Sequence, residues 1–354
     1  MPRDYPPAPE SICVLRLSAI GDCCHTLPVV RTLQAAFPNT RITWVIGKTE
    51  FRLLEGADGI EFITFDKNAG LAELNRLRRE LAGRHYPVLL HMNASMRANL
   101  ASTVIPARRR IGFDRKRARD FQWAFSNERI AEQHPGRRHV LDGLFQFAEH
   151  LGITERTMRW DIPVTLDDKQ FAAETTAGPG PTCVISPCSS QRARNFRNWD
   201  VANYAALIED LQHTYGAKII LTGGPTEIEK NYGKEILTRT QGVTNLIGTT
   251  TLKQLFALIR KTNLVICPDS GPAHMATAAG TPVIGLYASS NPERTGPYTS
   301  PELTVNKYPE AVQKEFGKSV SEVRFGARVR NPQVMELITV ADVMEKVAVA
   351  LGRR

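Results

Sequence analysis

Asn263-Leu264-Val265-Ile266-Cys267-Pro268-Asp269-Ser270-Gly271-Pro272-Ala273-His274-Met275-Ala276-Thr277-Ala278-Ala279 reads as a buried strand, a tight turn and the start of an Ala-rich helix. Such a turn gathers backbone N–H groups and the positive end of a helix dipole at one point, a setting suited to a phosphate or pyrophosphate. Pro272 fits the first helical turn, where no amide hydrogen is missed. An ordinary N-cap by Ser270 has the same local sequence, so the meaning of the turn depends on the rest of the chain.

Outward from this stretch, short β-rich runs alternate with longer segments of helical periodicity, the pattern of parallel sheets with crossover helices. The pattern occurs twice. Strands are predicted at 12–17, 41–46, 60–65, 87–92 and 109–112 in the first half, with helices at 24–36 and 71–82. The second half predicts strands at 182–186, 217–222, 244–247, 264–267 and 283–287, with helices at 201–215, 227–238 and 252–260. Between them, 161–181 ends in Ala177-Gly178-Pro179-Gly180-Pro181, a breaker cluster that places a hinge there. The expected organisation is a first domain over 1–164, a second over 165–338, and a final amphipathic helix within 339–354 that either closes the second domain or crosses back onto the first.

The chain has 354 residues, 42% of them hydrophobic, enough for two domain cores. No run of eighteen apolar residues occurs and the first ten residues are Pro-rich and polar, from which a cytosolic protein is expected. Cys13, Cys23, Cys24, Cys183, Cys188 and Cys267 lack metal-ligand spacing, which predicts reduced thiols and no zinc. The formal charge of +9 is uneven: residues 76–138 hold fifteen Lys or Arg against five Asp or Glu. Arg97, Arg108, Arg109, Arg110, Arg115, Lys116, Arg117 and Arg119 suit several phosphates or an anionic surface, although a solvated helix face has a similar composition. Nucleic acid is disfavoured, because aromatic residues are not read as interleaved with these charges.

In a doubly wound domain, ligands bind at the carboxyl ends of the strands, so the loops there carry the chemistry. Asp22 follows the first strand, where a carboxylate either accepts a proton from a substrate hydroxyl or caps a helix. After the first strand of the second half, Ser189-Ser190-Gln191-Arg192-Ala193-Arg194-Asn195-Phe196-Arg197 combines hydroxyls and cations able to hold a diphosphate. Gly223 and Gly224 permit close approach, and Glu227 can accept from ribose hydroxyls, although Gly-Gly-Pro is also a common turn. There is no G-x-G-x-x-G, Walker A or G-x-S-x-G sequence, which argues against dehydrogenase, P-loop and hydrolase readings. Without an Asp-x-Asp pair or paired histidines for a divalent ion, charge on a leaving group falls to protein cations and helix dipoles.

Ser18-Ala19-Ile20-Gly21-Asp22, Arg110-Ile111-Gly112-Phe113-Asp114, and Asp269 to His274 with Pro282 and Asn291-Pro292-Glu293-Arg294-Thr295-Gly296-Pro297 resemble glycosyltransferase family 9, the ADP-heptose:lipopolysaccharide heptosyltransferases. The resemblance spans nearly the whole chain. It implies a GT-B fold, an α/β architecture of two doubly wound Rossmann-like domains facing across a cleft. It also implies inverting, metal-independent transfer of L-glycero-D-manno-heptose, with ADP-heptose as donor substrate, no cofactor, and the Kdo residue of Kdo-lipid A as acceptor.

By the same resemblance Asp22 is the base, Ser189 and Ser190 contact phosphate, and Glu227 contacts ribose. Arg197 stands where a catalytic Lys is common, with Arg192 or Arg194 as alternatives for the diphosphate. Asp269, Ser270, Gly271 and His274 form the donor-binding turn, His274 being alternatively a core histidine. The basic segment would bind acceptor phosphates and rest on the anionic inner-membrane leaflet, giving a cytoplasmic, peripheral enzyme. The long cationic loop points to the heptosyltransferase I subgroup and a phosphorylated Kdo. The rival readings are addition of a later heptose, use of another nucleotide sugar, or a non-catalytic module for anionic glycolipid or nucleic acid, the last supported by pI ≈ 9.3.

Overall fold

The computed structural model describes residues 7–131, 139–189 and 195–352. The chain forms two compact units, Met1–Pro163 and Val164–Arg354. Each is a six-stranded, all-parallel sheet with helices packed on it, as the alternating pattern predicts.

Unit 1 contains β1 (Ser11–Leu15), α1 (Ile20–Ala36), β2 (Arg41–Gly47), α2 (Lys48–Leu54), β3 (Ile60–Phe65), α3 (Gly70–Glu80), β4 (Tyr86–His91), α4 (Met96–Thr103), β5 (Ala107–Gly112), β6 (Glu128–Arg129) and α5 (Val140–His150). The sheet order is β3-β2-β1-β4-β5-β6, so the order reverses between β1 and β4. β1 is buried along its whole length, because a central parallel strand has covered faces on both sides. Cys13, Leu15 and Leu17 pack with Val45, Ile63, Leu77 and Leu89 on one face.

α1 begins four residues earlier than its apolar periodicity predicts. Asp22 is not the cap before the helix but lies in its first turn, where its carboxylate accepts from the Ala19 amide at 3.0 Å. Pro28 stands inside this helix and cannot donate to the Cys24 carbonyl. The Trp160 indole N–H supplies the missing bond at 2.9 Å. The short helices α2 and α4 and the helix α5 were not among the predicted elements.

Unit 2 contains α6 (Leu166–Thr176), β7 (Thr182–Ile185), α7 (Val201–Tyr215), β8 (Lys218–Leu221), α8 (Glu227–Leu237), β9 (Val243–Asn245), α9 (Leu252–Lys261), β10 (Leu264–Pro268), α10 (Gly271–Ala279), β11 (Val283–Tyr287), α11 (Pro292–Thr295), β12 (Val305–Asn306), α12 (Tyr308–Phe316) and α13 (Val340–Leu351). The order β12-β11-β10-β7-β8-β9 reverses between β10 and β7. Trp199, Tyr204, Leu207 and Ile219 lie in its main core with Val343 and Val347 of α13. The final helix thus packs within unit 2 rather than forming a separate element. The predicted hinge segment contains α6, which packs on α9.

Candidate functional site

In each unit some candidate residues lie at the carboxyl edge of the sheet beside the point where strand order reverses: Asp22 after β1 in unit 1, and Ser189 after β7 with Asp269 to His274 after β10 in unit 2. There two loops diverge and leave a crevice that parallel sheets use for ligands.

In unit 1 the loops after β1 and β4 are tied together. The Asn93 side-chain oxygen accepts from the Leu17 and Ser18 amides at 2.9 and 3.3 Å. Arg16, 8% exposed, donates through Nη1 to the Met92 carbonyl, and its Nη2 lies 2.6 Å from Asp22 Oδ2. Asp22 keeps a third of its side chain exposed. The ion pair therefore orients a solvent-reachable carboxylate at the crevice. Sequence reasoning singled out Asp22 but missed Arg16 and Asn93. The signal for Arg16 was a lone cation closing an otherwise apolar strand.

In unit 2 the same position is bridged by another arginine. Arg197, 7% exposed, donates through Nη1 to the Asp269 carbonyl at 2.7 Å and to Asp269 Oδ2 at 3.2 Å. Its Nε donates to Asn195 Oδ1 at 2.9 Å, and Asn195 Nδ2 donates to Ser189 Oγ at 2.6 Å. The Ser189 amide donates to Asn198 Oδ1 at 2.9 Å. The structure thus joins Ser189, Arg197 and Asp269, distant in sequence, in one network. Arg197 is a paired, buried fixture and not a mobile cation. Ser190, Arg192 and Arg194 lie outside the described residues.

Ser270 occupies the N-cap of α10, yet its side chain makes no capping hydrogen bond. Pro272 has no amide hydrogen, so the amides of Ser270, Gly271 and Ala273 are the donors at this helix end. His274 lies one residue further on, partly buried. On the loop after the neighbouring β11, Ser290 and Asn291 are 5% and 4% exposed. Asn291 Oδ1 accepts from the Glu293 amide, whereas Asn291 Nδ2 and Ser290 Oγ have no hydrogen-bond partner. Buried donors of this kind call for a polar ligand or water. Neither residue was assigned a site role from the sequence.

Glu227 is not the acid held against the Gly223-Gly224 turn. Its side chain is 79% exposed and pairs with Lys230 at 3.3 Å. Glu229 takes the inner position, accepting from the Gly224 amide at 2.7 Å and from the Thr226 hydroxyl at 2.5 Å. A Cβ on Gly224 would stand 2.9 Å from Glu229 Oε2, so a side chain there would displace the Glu229 carboxylate from the turn. The Thr226-x-x-Glu229 spacing is a capping signal that could have identified the residue.

The basic segment of unit 1 divides into two groups. Arg109 binds Glu128 through two contacts of 2.7 Å, and this pairing holds the Glu128 carboxyl down at about 2. Arg110 donates to the Ser102 and Ile105 carbonyls at 2.5 and 2.6 Å. Arg117 binds Asp114 and Gln146. These three arginines hold unit 1 together, which corrects the reading of the cluster as eight cations facing a ligand. Arg97, Arg108, Arg115, Lys116 and Arg119 are exposed. Aromatic rings do accompany the charges, against expectation: the Arg115 guanidinium lies 6.0 Å from the Trp123 ring and that of Arg117 lies 5.7 Å from Phe113.

All six cysteines are free and buried, and burial pushes the thiols of Cys24, Cys183, Cys188 and Cys267 up to about 12. They are not poised nucleophiles. Among the described residues no helix is long and apolar enough to cross a membrane.

The profile of glycosyltransferase family 9 (heptosyltransferase) matches residues 74–324. Lipopolysaccharide core heptosyltransferase OpsX of Haemophilus influenzae is 40% identical over 338 residues, covering 95% of this chain and 96% of that protein. Lipopolysaccharide heptosyltransferase 3 of Escherichia coli K12 is 26% identical, covering 79% of this chain and 83% of that protein. Among solved structures, E. coli heptosyltransferase WaaC with ADP matches with a TM-score of 0.71 at 17% identity, covering 96% of this chain and 99% of that one. The fold is accordingly GT-B.

Proposed function

Since the chain belongs to glycosyltransferase family 9 and is a glycosyltransferase, we propose that it transfers L-glycero-D-manno-heptose from ADP-heptose to the Kdo of Kdo-lipid A. The observation that carries this reading is the 40% identity to a lipopolysaccharide core heptosyltransferase along nearly the whole of both chains. Two features of the sites support it. Unit 1 holds an oriented carboxylate at its crevice, and unit 2 holds helix-end amides, a buried arginine and unpartnered polar groups at its own.

In the proposed reaction Asp22 accepts the proton of the acceptor hydroxyl as its oxygen attacks the anomeric carbon of the heptose. The bond from that carbon to the β-phosphate oxygen breaks, ADP leaves and the configuration inverts. The amides of Ser270, Gly271 and Ala273 meet the charge that builds on ADP, with Arg197 holding the turn beside them. No cofactor or bound cation takes part. The exposed cations Arg97, Arg108, Arg115, Lys116 and Arg119 face acceptor phosphates and the anionic cytoplasmic leaflet.

The test is mass-spectrometric detection of heptose on Kdo-lipid A, with and without a phosphate on Kdo and with EDTA present. Addition that persists in EDTA is the expected result. The likeness to heptosyltransferase 3 favours a second reading, in which the acceptor already carries heptose; addition to that acceptor alone would replace the first. Asp22→Ala should keep ADP binding within about twofold while lowering transfer by roughly 10²–10⁴. Near-normal turnover would remove Asp22 from the role of base.

A further inference from the structure

Among the described residues of unit 1, six large hydrophobic side chains are exposed: Leu71, Met96, Leu100, Phe121, Trp123 and Met158. Four of these belong to two segments that touch, α4 and the stretch 119–124. The Met96 amide donates to Asp120 Oδ2 at 3.0 Å and Asn99 Nδ2 donates to the Asp120 carbonyl at 2.6 Å. Met96 and Leu100 are four residues apart on α4 and share a face.

The segment is built to present its rings. Gln122 is fully buried, donating to the His91 carbonyl at 2.7 Å and accepting from the Phe113 amide at 3.2 Å. With Gln122 anchored inward, Phe121 on one side and Trp123 on the other are 65% and 42% exposed. Asp120 and Phe121 both adopt positive φ, 52° and 59°, a conformation unfavourable for an aromatic residue. A strained backbone that turns a large ring toward water is retained where the exposed ring has a use.

The surroundings identify the partner. Arg97 and Arg119 are exposed within the same two segments, and the exposed Arg115, from the turn just before the second, has its guanidinium over the Trp123 ring. Across 95–131 there are nine basic side chains and three acidic ones. Apolar rings among arginines match a bilayer interface, where rings enter the headgroup boundary and cations meet anionic lipid.

We propose that Phe121 and Trp123, flanked by Met96 and Leu100, form the insertion point by which unit 1 docks on an anionic lipid bilayer. This deepens the leaflet placement proposed above, and its test uses neither donor nor acceptor. A failure here therefore leaves the transferase reading standing, and a failed transfer assay leaves this one standing.

The full chain is mixed with vesicles of phosphatidylethanolamine and phosphatidylglycerol, 3:1, or of phosphatidylcholine alone, and binding is measured by co-sedimentation. The wild type should favour the anionic vesicles, and Phe121→Ser with Trp123→Ser should weaken that binding by roughly tenfold. Trp44 and Trp199 are fully buried and the Trp160 indole is hydrogen-bonded internally, so a blue shift of emission on binding reports Trp123. Trp123→Phe should lose the shift and keep most of the binding. Both substitutions are at exposed positions, and an unchanged melting temperature confirms that the variant folds. Equal binding by the wild type and the double variant, equal binding to both vesicle types, or an unmoved emission maximum would each overturn the proposal, the second by removing the preference for anionic lipid and the third by showing that Trp123 does not enter the bilayer.

Discussion

Replacing Arg197 by Met removes the cation beside a carboxylate that is only 7% exposed. Asp269 would then be buried without its counter-charge, and breaking a buried pair from one side costs about 3–5 kcal/mol. Part of that loss has another origin, because Arg197 also donates to the Asp269 carbonyl and to Asn195. At about 1 kcal/mol each, those bonds account for roughly 2 kcal/mol. The remainder, about 2 kcal/mol, belongs to the charge pair and should return when Asp269→Asn is added to Arg197→Met. The double variant should thus be more stable than the Arg197 single variant. Hydrogen–deuterium exchange of the β7, β10 and α10 amides reads the opening of unit 2 without assuming that the whole chain unfolds in one step. ADP titration of the four proteins should follow the same cycle if the pair sets the geometry of the α10 turn. A coupling below about 0.5 kcal/mol, the value of an exposed ion pair, would refute the reasoning.

Glu229→Ala should loosen the Gly223-Gly224 turn and destabilise unit 2 by about 1–3 kcal/mol, whereas Glu227→Ala should stay within about 0.5 kcal/mol; urea unfolding of both variants checks the contrast, and equal effects would contradict it. Burial lowers the ring of His91 to about 3, with the nearby Arg110 charge acting in the same direction. Its neutral form accepts at Nδ1 from Gln122 Nε2 at 3.1 Å. Since the unfolded chain takes up this proton near pH 6.5, the contribution of His91 is complete above that pH and falls by about 1.4 kcal/mol per unit as the pH drops toward 3. Stability measured from pH 7 to 5 should lose this component in His91→Leu; an unchanged slope would show that another group titrates.

Much of the fold was legible because a parallel strand covered on both faces must be apolar throughout, and runs such as Ile12 to Leu15 and Leu264 to Cys267 have no other economical reading. Helix starts were less legible. α1 begins at Ile20 because the Asp22 carboxylate folds back to the Ala19 amide, an arrangement that resembles a cap placed four residues later. Within the candidate sites, the loops that carry Asp22, Ser189 and Asp269 were each legible from their own local sequence. Their partners were not all found, because they come from elsewhere in the chain: Met92 and Asn93 reach the loop after β1 across more than seventy residues.

The amino-acid sequence alone determined the two doubly wound units, the positions of their main strands along the chain, and the loops where chemistry can occur, because periodicity and turn composition act locally. Tertiary structure decided which side chains those loops engage. Glu227 and Glu229 differ by two residues and so point to opposite sides of α8, one to water and one to the glycine turn. Arg109 and Arg110 likewise project from opposite faces of β5, toward a neighbouring strand and toward the end of α4. Composition counts all these arginines as equal positive charges, whereas packing commits some to the interior and leaves others for a partner, since a charge removed from water must be met by the atoms that the fold brings to it.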